Sequence, residues 1–183
     1  ASAEATMGRV LSGGSMAVDA AGLPHLVYSE RVQASSHGYI ATPGDGIAWR
    51  HVELNPFLPE AARGYSLHFY GGLSFSSSGA LMLVGTLMDI GPEDLAWGDP
   101  SMEVVVFAED KEGILAGRLL RPADASVPRW LPNIERVTGF NEVSGWPAIV
   151  YMEGERGAGL DDQLSNRVWW FDLDTEAGLT SPQ

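Results

Sequence analysis

The chain has 183 residues, 45% of them hydrophobic and 19% charged, which suffices for one domain with a buried core. Its net charge of −13, with Lys111 the one lysine beside ten arginines, excludes the basic surface that nucleic-acid binding requires. The absence of cysteine excludes disulfides and thiolate metal sites, and no apolar run reaches the roughly 18 residues of a membrane span.

Short apolar runs separated by glycine and proline predict an all-β protein, and residues 12–54 form its first unit. Residues 7–11 could form a single strand on their own. Four further strands are predicted at 14–19, 24–30, 38–42 and 47–54. A tight turn at 20–22 joins the first two of these four strands, and a hairpin turn at 43–46 joins the last two.

The same order of strands recurs twice further along the chain. Gly22, Gly79 and Gly145 each precede a short run of strand-forming residues, at spacings of 57 and then 66 residues. Such self-similarity is typical of repeat architectures. The second unit is predicted to have strands at 72–76, 80–87, 102–108 and 114–120, and the third to have strands at 134–138, 147–153 and 167–172.

Four-stranded units in tandem predict a β-propeller, with a sandwich and a jelly roll as alternatives. We assign one propeller unit to residues 1–183, with blades at 12–54, 72–120 and 134–172 and the additional strand at 7–11. Propellers typically contain about 4–8 blades, so about three blades cannot readily close alone. We therefore expect completion by a partner chain, as in a homo-oligomer, or by further sequence of a longer propeller, because an open edge promotes aggregation.

Three segments carry a family resemblance: Ser15–Asp19, Gly22–Tyr28 and Asp45–Trp49. Through them the chain resembles the BNR-repeat (sialidase-like) β-propeller group, and it looks closest to the polysaccharide-lyase-like branch. Thr42–Trp49 is similar to the Asp-box turn of that group, with the Asp shifted, and in the group this turn supports folding and lies away from the site. The resemblance implies an extracellular or periplasmic protein that acts on a polysaccharide. In lyases of related propellers a His and a Tyr act as base and acid, and an Arg neutralises a uronate carboxylate.

The predicted connections are short at one end of each blade and long at the other. The long ones are 31–37, 55–71, 88–101, 121–133 and 154–166. Long loops on a rigid scaffold commonly carry function, arginine suits carboxylate recognition, and aromatic rings offer flat faces to sugars. The predicted substrate-binding residues are Arg31, His37, Tyr65, Trp97, Arg129, Trp130 and Arg156. The alternative is that these are ordinary arginines paired with acids, and aromatic residues that cover the core.

The densest cluster of reactive side chains is Arg63–Tyr70. His68 and Tyr70 lie on one side of the backbone if this segment is extended. Such a pair could remove and deliver a proton in a β-elimination lyase, with Arg63 on the substrate carboxylate. In the structural alternative, His68 bonds to backbone and Tyr70 is packed.

Other chemistries have weaker support in the sequence. The four histidines do not lie at metal-ligand spacing, which argues against zinc. Glu155, Asp161 and Asp162 could bind calcium from a glycine-containing loop, although solvated acids are the simpler interpretation, and no other cofactor is predicted. A glycoside hydrolase would need two carboxylates about the scissile bond, for which Asp94 and Asp99 are loose candidates.

These patterns leave two functional hypotheses open. In the first, the chain recognises or degrades an extracellular, acidic polysaccharide as a β-elimination lyase. In the second, the same loops bind without chemistry, as a carbohydrate-binding or assembly module. The expected partners are a polysaccharide and a second copy or the rest of a longer propeller, without nucleic acid or membrane.

Overall fold

A computed structural model describes residues 11–32, 35–44, 48–89, 101–110, 112–113, 115–120, 127–139, 141–143, 145–154 and 167–171. Within these residues the protein forms eleven β-strands in three antiparallel sheets, and the sheets do not close into a single barrel. None of these residues belongs to a helix long and apolar enough to cross a membrane. The predicted all-β class is confirmed.

The first sheet is a meander in which each strand pairs with the next. Its strands are β1 (Leu11–Val18), β2 (Pro24–Val32), β3 (Ser35–Pro43) and β4 (Trp49–Glu53). Asp19 organises the turn between β1 and β2, since its Oδ1 accepts hydrogen bonds from the N–H groups of Ala21 and Leu23. Its Oδ2 lies 2.9 Å from Nε2 of His25, and these contacts hold the pKa of Asp19 below its usual value.

The second and third sheets repeat this connectivity. The second sheet contains β5 (Ser66–Phe75), β6 (Leu81–Met88), β7 (Glu103–Glu109) and β8 (Leu115–Leu119). The third sheet contains β9 (Arg129–Ile134), β10 (Ile149–Glu153) and β11 (Arg167–Phe171). Two 3₁₀ turns, Asn55–Phe57 and Glu60–Ala62, connect β4 to β5.

Two strands begin earlier than predicted. The sequence analysis places the starts of the corresponding strands at 72 and 134, whereas β5 begins at Ser66 and β9 at Arg129. In both cases a residue that commonly interrupts strands lies inside one: the glycine pair 71–72 in β5 and Pro132 in β9. Pro132 lies on an edge strand and within its register shift opposite β10, which are positions where proline is tolerated. Of the predicted strand at 7–11, residues 7–10 lie outside the described residues.

The first strand of every sheet is irregular. The register shifts between Ser12 and Gly14 in β1, between His68 and Gly72 in β5, and in β9 opposite the step from Val150 to Met152. The shift in β5 is the largest, because three of its residues face the single residue Gly85 of β6. Bulges of this kind bend a strand and redirect its side chains.

The second sheet lies between the other two, and both of its faces are buried. Towards the first sheet, Leu67, Phe69, Leu83 and Phe107 pack with Val27, Ile40 and Leu54. Towards the third sheet, Met82, Val84, Val104 and Val106 pack with Ile134, Ile149 and Tyr151. Alternate residues of β6 and β7 therefore serve two different cores, which explains their continuous apolar runs.

Phe69 joins the first two sheets. Its ring lies so close to Gly38 that a Cβ there would be 2.5 Å from Cε2 of Phe69. Its backbone N–H falls within the bulge of β5 and donates a 2.7 Å hydrogen bond to Oγ of Ser29 on β2. Nearby, the N–H of Ser36 donates to Oγ of Ser66 at 3.2 Å.

Gly71 and Gly72 let β5 lie directly against β1 and β9. A Cβ on Gly71 would be 3.0 Å from the carbonyl oxygen of Pro132 and 2.6 Å from that of Val84. A Cβ on Gly72 would be 2.9 Å from Oγ of Ser15, and this glycine has a φ of +121°. Both residues must therefore be glycine for the three first strands to approach as they do.

Substitution of Gly72 tests this close approach. Gly72→Ala should lower the free energy of unfolding by about 2–5 kcal/mol, because overpacking and a positive φ both oppose the methyl group. Gly79→Ala is the matched control, since Gly79 also has a positive φ but no atom would lie within 4 Å of a Cβ added there. Its cost should be about 1–2 kcal/mol. Equal urea midpoints for the two variants would contradict the proposed role of Gly72.

Candidate functional site

The structure brings His68 and Tyr70 together on β5. Their rings stack with centroids 5.8 Å apart and an angle of 6° between their planes. The pair does not lie on a loop, as the sequence prediction has it, but within the buried first strand of the second sheet. The placement on a loop is therefore corrected, while the side-by-side arrangement follows from the alternation of an extended chain.

His68 is only 3% exposed, and burial lowers its pKa to about 4. Its Nδ1 has no hydrogen-bond partner within the described part of the chain, and the same holds for Oγ1 of Thr86, which lies opposite on β6. A buried imidazole without a partner stays neutral, because the charged form would lose its hydration. His68 is thus a neutral residue of the interior at physiological pH.

This environment is poorly suited to general-base catalysis on a polymer. A catalytic base works best with a pKa near the working pH, and it must come within hydrogen-bonding distance of the proton that it removes. His68 has a pKa of about 4 and almost no exposed surface. The buried ring therefore gives the catalytic interpretation little support, and the described residues show no bond from Nδ1 to backbone of the kind that the structural alternative expects.

Arg129, predicted to bind substrate from a loop, begins strand β9 instead and is 4% exposed. Its Nη1 donates to both carboxylate oxygens of Glu103, at 3.1 and 2.9 Å, and its Nε donates to Oε2 of Glu153 at 3.1 Å. Burial by itself lowers the pKa of Arg129, but the carboxylates of Glu103 and Glu153 outweigh burial and raise it. The guanidinium is thus held by the protein's own acids.

The two glutamates of this cluster were not among the predicted site residues. Glu103 opens β7, Glu153 closes β10 and Arg129 opens β9, so all three lie at one end of the second and third sheets. The available signal was a charged residue directly at the end of each apolar run. It was not sufficient, because pairing these residues requires knowing which strands pack against each other.

Tyr65 lies just before β5, beside the same cluster. Burial, followed by the negative charges of Asp89 and Glu103, raises its pKa above the usual value. Its hydroxyl therefore stays protonated at neutral pH, where it can donate a hydrogen bond but cannot act as a base.

The other predicted residues are scattered. Arg63 is exposed and pairs with Glu60, their atoms 2.8 Å apart. Trp130 is buried against Met88 and Met102. Together with Arg129, these side chains do not converge with His68 on an open surface.

Arg31 and His37 were predicted to lie on a loop at 31–37, but Arg31 belongs to β2 and His37 to β3. Nδ1 of His37 lies 2.7 Å from Oε1 of Glu53, and its Nε2 lies 3.0 Å from Oγ of Ser35. Arg31 is half-buried. Trp97 and Arg156 lie outside the described residues, as do Asp94, Asp99 and the acids proposed for calcium, Glu155, Asp161 and Asp162.

Metal ligands do not cluster in the described ranges. No group of three or more His, Asp or Glu side chains there could hold a metal ion.

Comparison with known proteins adds no family to this geometry. No family model matches the chain, and no curated protein matches its sequence. The resemblance to BNR-repeat propellers therefore stays a prediction.

The pKa of His68 predicts a specific dependence of stability on pH. In the unfolded chain His68 takes up a proton near pH 6.5, and in the folded chain only near pH 4. Between pH 6.5 and pH 4 the unfolded state binds more protons than the folded state does. The contribution of His68 to the free energy of unfolding is therefore fully present above this range, and it is lost as the pH drops towards 4. The difference corresponds to about 3 kcal/mol at about 1.4 kcal/mol per pH unit.

This dependence can be isolated by comparing urea unfolding between pH 7 and pH 4. His68→Gln, which cannot titrate, should reduce the loss of stability over that range by about 3 kcal/mol. Tyr70→Phe, which keeps both the stacked ring and the titrating His68, should leave the loss unchanged. An unaltered pH profile for His68→Gln would show that His68 is not a buried neutral residue.

Truncation of Arg129 tests its structural role. Arg129→Met should lower the free energy of unfolding by about 3–5 kcal/mol, because two buried carboxylates would lose their cation. The exposed pair of Arg63 and Glu60 supplies the control, and Arg63→Met should change stability by less than about 1 kcal/mol. If the two variants had the same urea midpoint, Arg129 would not be the central charge of its cluster.

Proposed function

We propose that this chain is a non-catalytic assembly module: three blades of a β-propeller whose ring is completed by a second copy. The observation that carries the proposal is that the outward faces of the first and third sheets carry aromatic and apolar side chains that no other part of the described chain covers fully, among them Trp49, Val168 and Trp170. The second sheet, by contrast, has both faces covered by its neighbours. A second copy would give the two outer sheets the same environment.

The outward face of the third sheet is the more strongly apolar of the two. Val168 and Trp170 on β11 are each 69% exposed, and Leu131 at the bulge of β9 is also exposed. Trp169 lies between Val168 and Trp170 in sequence. Its side chain is on the opposite face of β11 and packs against the core between the second and third sheets. An exposed tryptophan beside an exposed valine on a sheet face is typical of an interaction surface.

The outward face of the first sheet is aromatic. Tyr28 and Tyr39 stack with ring centroids 5.4 Å apart, and the hydroxyl of Tyr28 lies 2.9 Å from Nδ1 of His51. Trp49 at the start of β4 is exposed. Aromatic residues of this kind are enriched in protein interfaces.

The order of the sheets explains why a second copy is the appropriate partner. Each contact inside the chain joins one side of a sheet to the opposite side of the next. The outer face of the third sheet and the outer face of the first sheet are the two sides left open. Two copies in head-to-tail contact would bring these faces together twice and give six blades, within the usual range of about 4–8.

Nothing in the described geometry favours the lyase hypothesis over this one. His68 is buried, Arg129 is held by Glu103 and Glu153, and Arg63 pairs with Glu60 at the surface. An assembly module needs none of these groups to be accessible, because their role is to stabilise the packing of the sheets.

A second candidate function is carbohydrate binding at the aromatic face of the first sheet. The specific observation is the combination of the stacked Tyr28 and Tyr39 with the exposed Trp49 and His51. Flat aromatic surfaces beside hydrogen-bonding groups suit sugar rings. This candidate requires the face to be free, so it competes with the assembly module.

Native mass spectrometry and analytical ultracentrifugation test the assembly module. The particle in solution should have twice the 19.6 kDa mass of one chain. Salt should strengthen association, because it screens the repulsion between two copies that each carry a net charge of −13. Trp170→Glu should weaken association at least ten-fold, since a charge would be buried in the contact. Phe57→Glu, at an exposed aromatic residue of the 3₁₀ turn, should leave association unchanged.

A folded monomer at all salt concentrations would contradict the assembly module. In that case titration with neutral and acidic oligosaccharides, comparing the wild type with Trp49→Ala, would test the second candidate.

A further inference from the structure

A cavity of about 510 Å³ lies at the end of the molecule where the first strands of the sheets finish. Met16 and Val18 line it from β1, Ser74 and Phe75 from β5, and Arg136 and Val137 from the segment after β9. This is the end with the short turns, opposite to the long connections where the sequence places function. Its volume falls in the range of about 300–1,000 Å³ that is usual for small-molecule sites.

Arg136 is the charged residue of the cavity. Its Nη1 donates to Oγ of Ser15 at 3.1 Å, and no carboxylate among the described residues forms an ion pair with it. Arg63 and Arg129, by contrast, are both paired with glutamates. In a chain with 24 acidic and 11 basic residues, a guanidinium that faces a cavity without a carboxylate is available for an anion.

The segment that carries Arg136 is held in place by Asn141. Its Oδ1 accepts hydrogen bonds from the N–H and the hydroxyl of Thr138, at 2.9 and 2.7 Å. Its Nδ2 donates to the carbonyl oxygen of Arg136 at 3.1 Å. Asn141 thus fixes the backbone at Arg136, and the bond to Ser15 is the contact that holds the guanidinium itself; both reduce the entropic cost of binding.

Apart from Ser74 and Thr138, the remaining residues that line the cavity are apolar. The ring of Phe75 is held edge-on by His25, with centroids 5.1 Å apart. Met16, Val18 and Val137 are all exposed, Val137 to the extent of 67%. Exposed apolar side chains around a concave surface gain free energy when an apolar ligand displaces water from them.

From this combination we propose that the cavity binds a small amphipathic organic anion, with one carboxylate and an apolar body. The carboxylate would accept two parallel hydrogen bonds from the guanidinium of Arg136, and the apolar body would lie against Phe75, Met16 and Val137. A cation would be repelled by Arg136, and a strongly hydrated sugar would leave the apolar walls poorly covered. The residues that line the cavity all belong to one chain, although Met16 shares the outward face of the first sheet with His51.

Three matched probes separate the two halves of this recognition: 3-phenylpropionate, its neutral analogue 3-phenylpropanamide, and acetate, which lacks the apolar body. In calorimetric titrations of the whole chain, 3-phenylpropionate should bind about ten-fold more tightly than the amide, as expected for one charge-assisted contact. It should also bind at least ten-fold more tightly than acetate, which would leave the apolar walls in water.

Substitutions then assign the contacts to residues. Arg136→Gln should reduce the affinity for 3-phenylpropionate about ten-fold, to the level of the amide. Arg136→Lys should keep part of the preference for 3-phenylpropionate over the amide, because lysine retains the charge without the planar fork. Val137→Ser should weaken all probes that carry the phenyl group. Arg118→Gln, at an exposed arginine of β8, should change nothing.

Equal affinity for the carboxylate and the amide would overturn the proposal, and so would the absence of binding by any probe. An Arg136→Gln variant that binds 3-phenylpropionate as the wild type does would also overturn it. Because Arg136 and Val137 are exposed, circular dichroism and the unfolding midpoint should show that both variants remain folded. The same titrations on Trp170→Glu, the variant designed to stay monomeric, should give the same affinities, so that these outcomes are distinguished from failure of the chain to dimerise.

Discussion

The whole arrangement depends on how closely β5 lies between β1 and β9. Gly71 and Gly72 have no Cβ, so the backbone of β5 can contact Pro132 on one side and Ser15 on the other. Adding a single carbon at either position would place it within about 3 Å of a neighbouring atom, closer than carbon atoms pack in protein interiors. The position of the other strands follows from this contact, because each sheet is a meander that continues outward from its first strand.

The close packing of β5 between β1 and β9 also accounts for the buried polar groups. With the second sheet enclosed on both faces, the ends of β7, β9 and β10 meet in the interior and bring Glu103, Arg129 and Glu153 together. A buried guanidinium is tolerated only when its charge and its N–H groups are matched, and here two carboxylates do so. His68 has no such partner for its Nδ1 in the described residues, and it avoids the cost of a buried charge by staying neutral. Both groups that the sequence suggested as functional therefore belong to the interior.

Much of the fold could be predicted from the sequence, because the apolar runs mark the strands and the turns between them are rich in glycine. The failures are specific. A glycine pair normally suggests a break, but in β5 it marks a bulge where another backbone approaches. Proline normally suggests the end of a strand, but Pro132 lies inside β9, which is an edge strand with a register shift at this position. Because both predicted strands started too late, His68 at the beginning of β5 and Arg129 at the beginning of β9 were predicted to lie on loops.

The candidate site was less predictable than the strands for a physical reason. The stacking of His68 on Tyr70 is local and follows from the alternation of side chains along one strand. The partners of Arg129 lie 26 and 24 residues away in sequence, and the cavity beside Arg136 is assembled from three segments of the chain. Such contacts depend on the packing of whole sheets, which no single segment specifies.

The hydrogen bond from the N–H of Phe69 to Oγ of Ser29 has a consequence for how the protein folds. The bulge removes this N–H from the ladder between β5 and β6, so its partner comes from the first sheet instead. The first strand of the second sheet therefore cannot satisfy its own backbone until the first sheet is docked. The second sheet should therefore unfold cooperatively with the first, and it could not be excised without leaving this N–H unpaired.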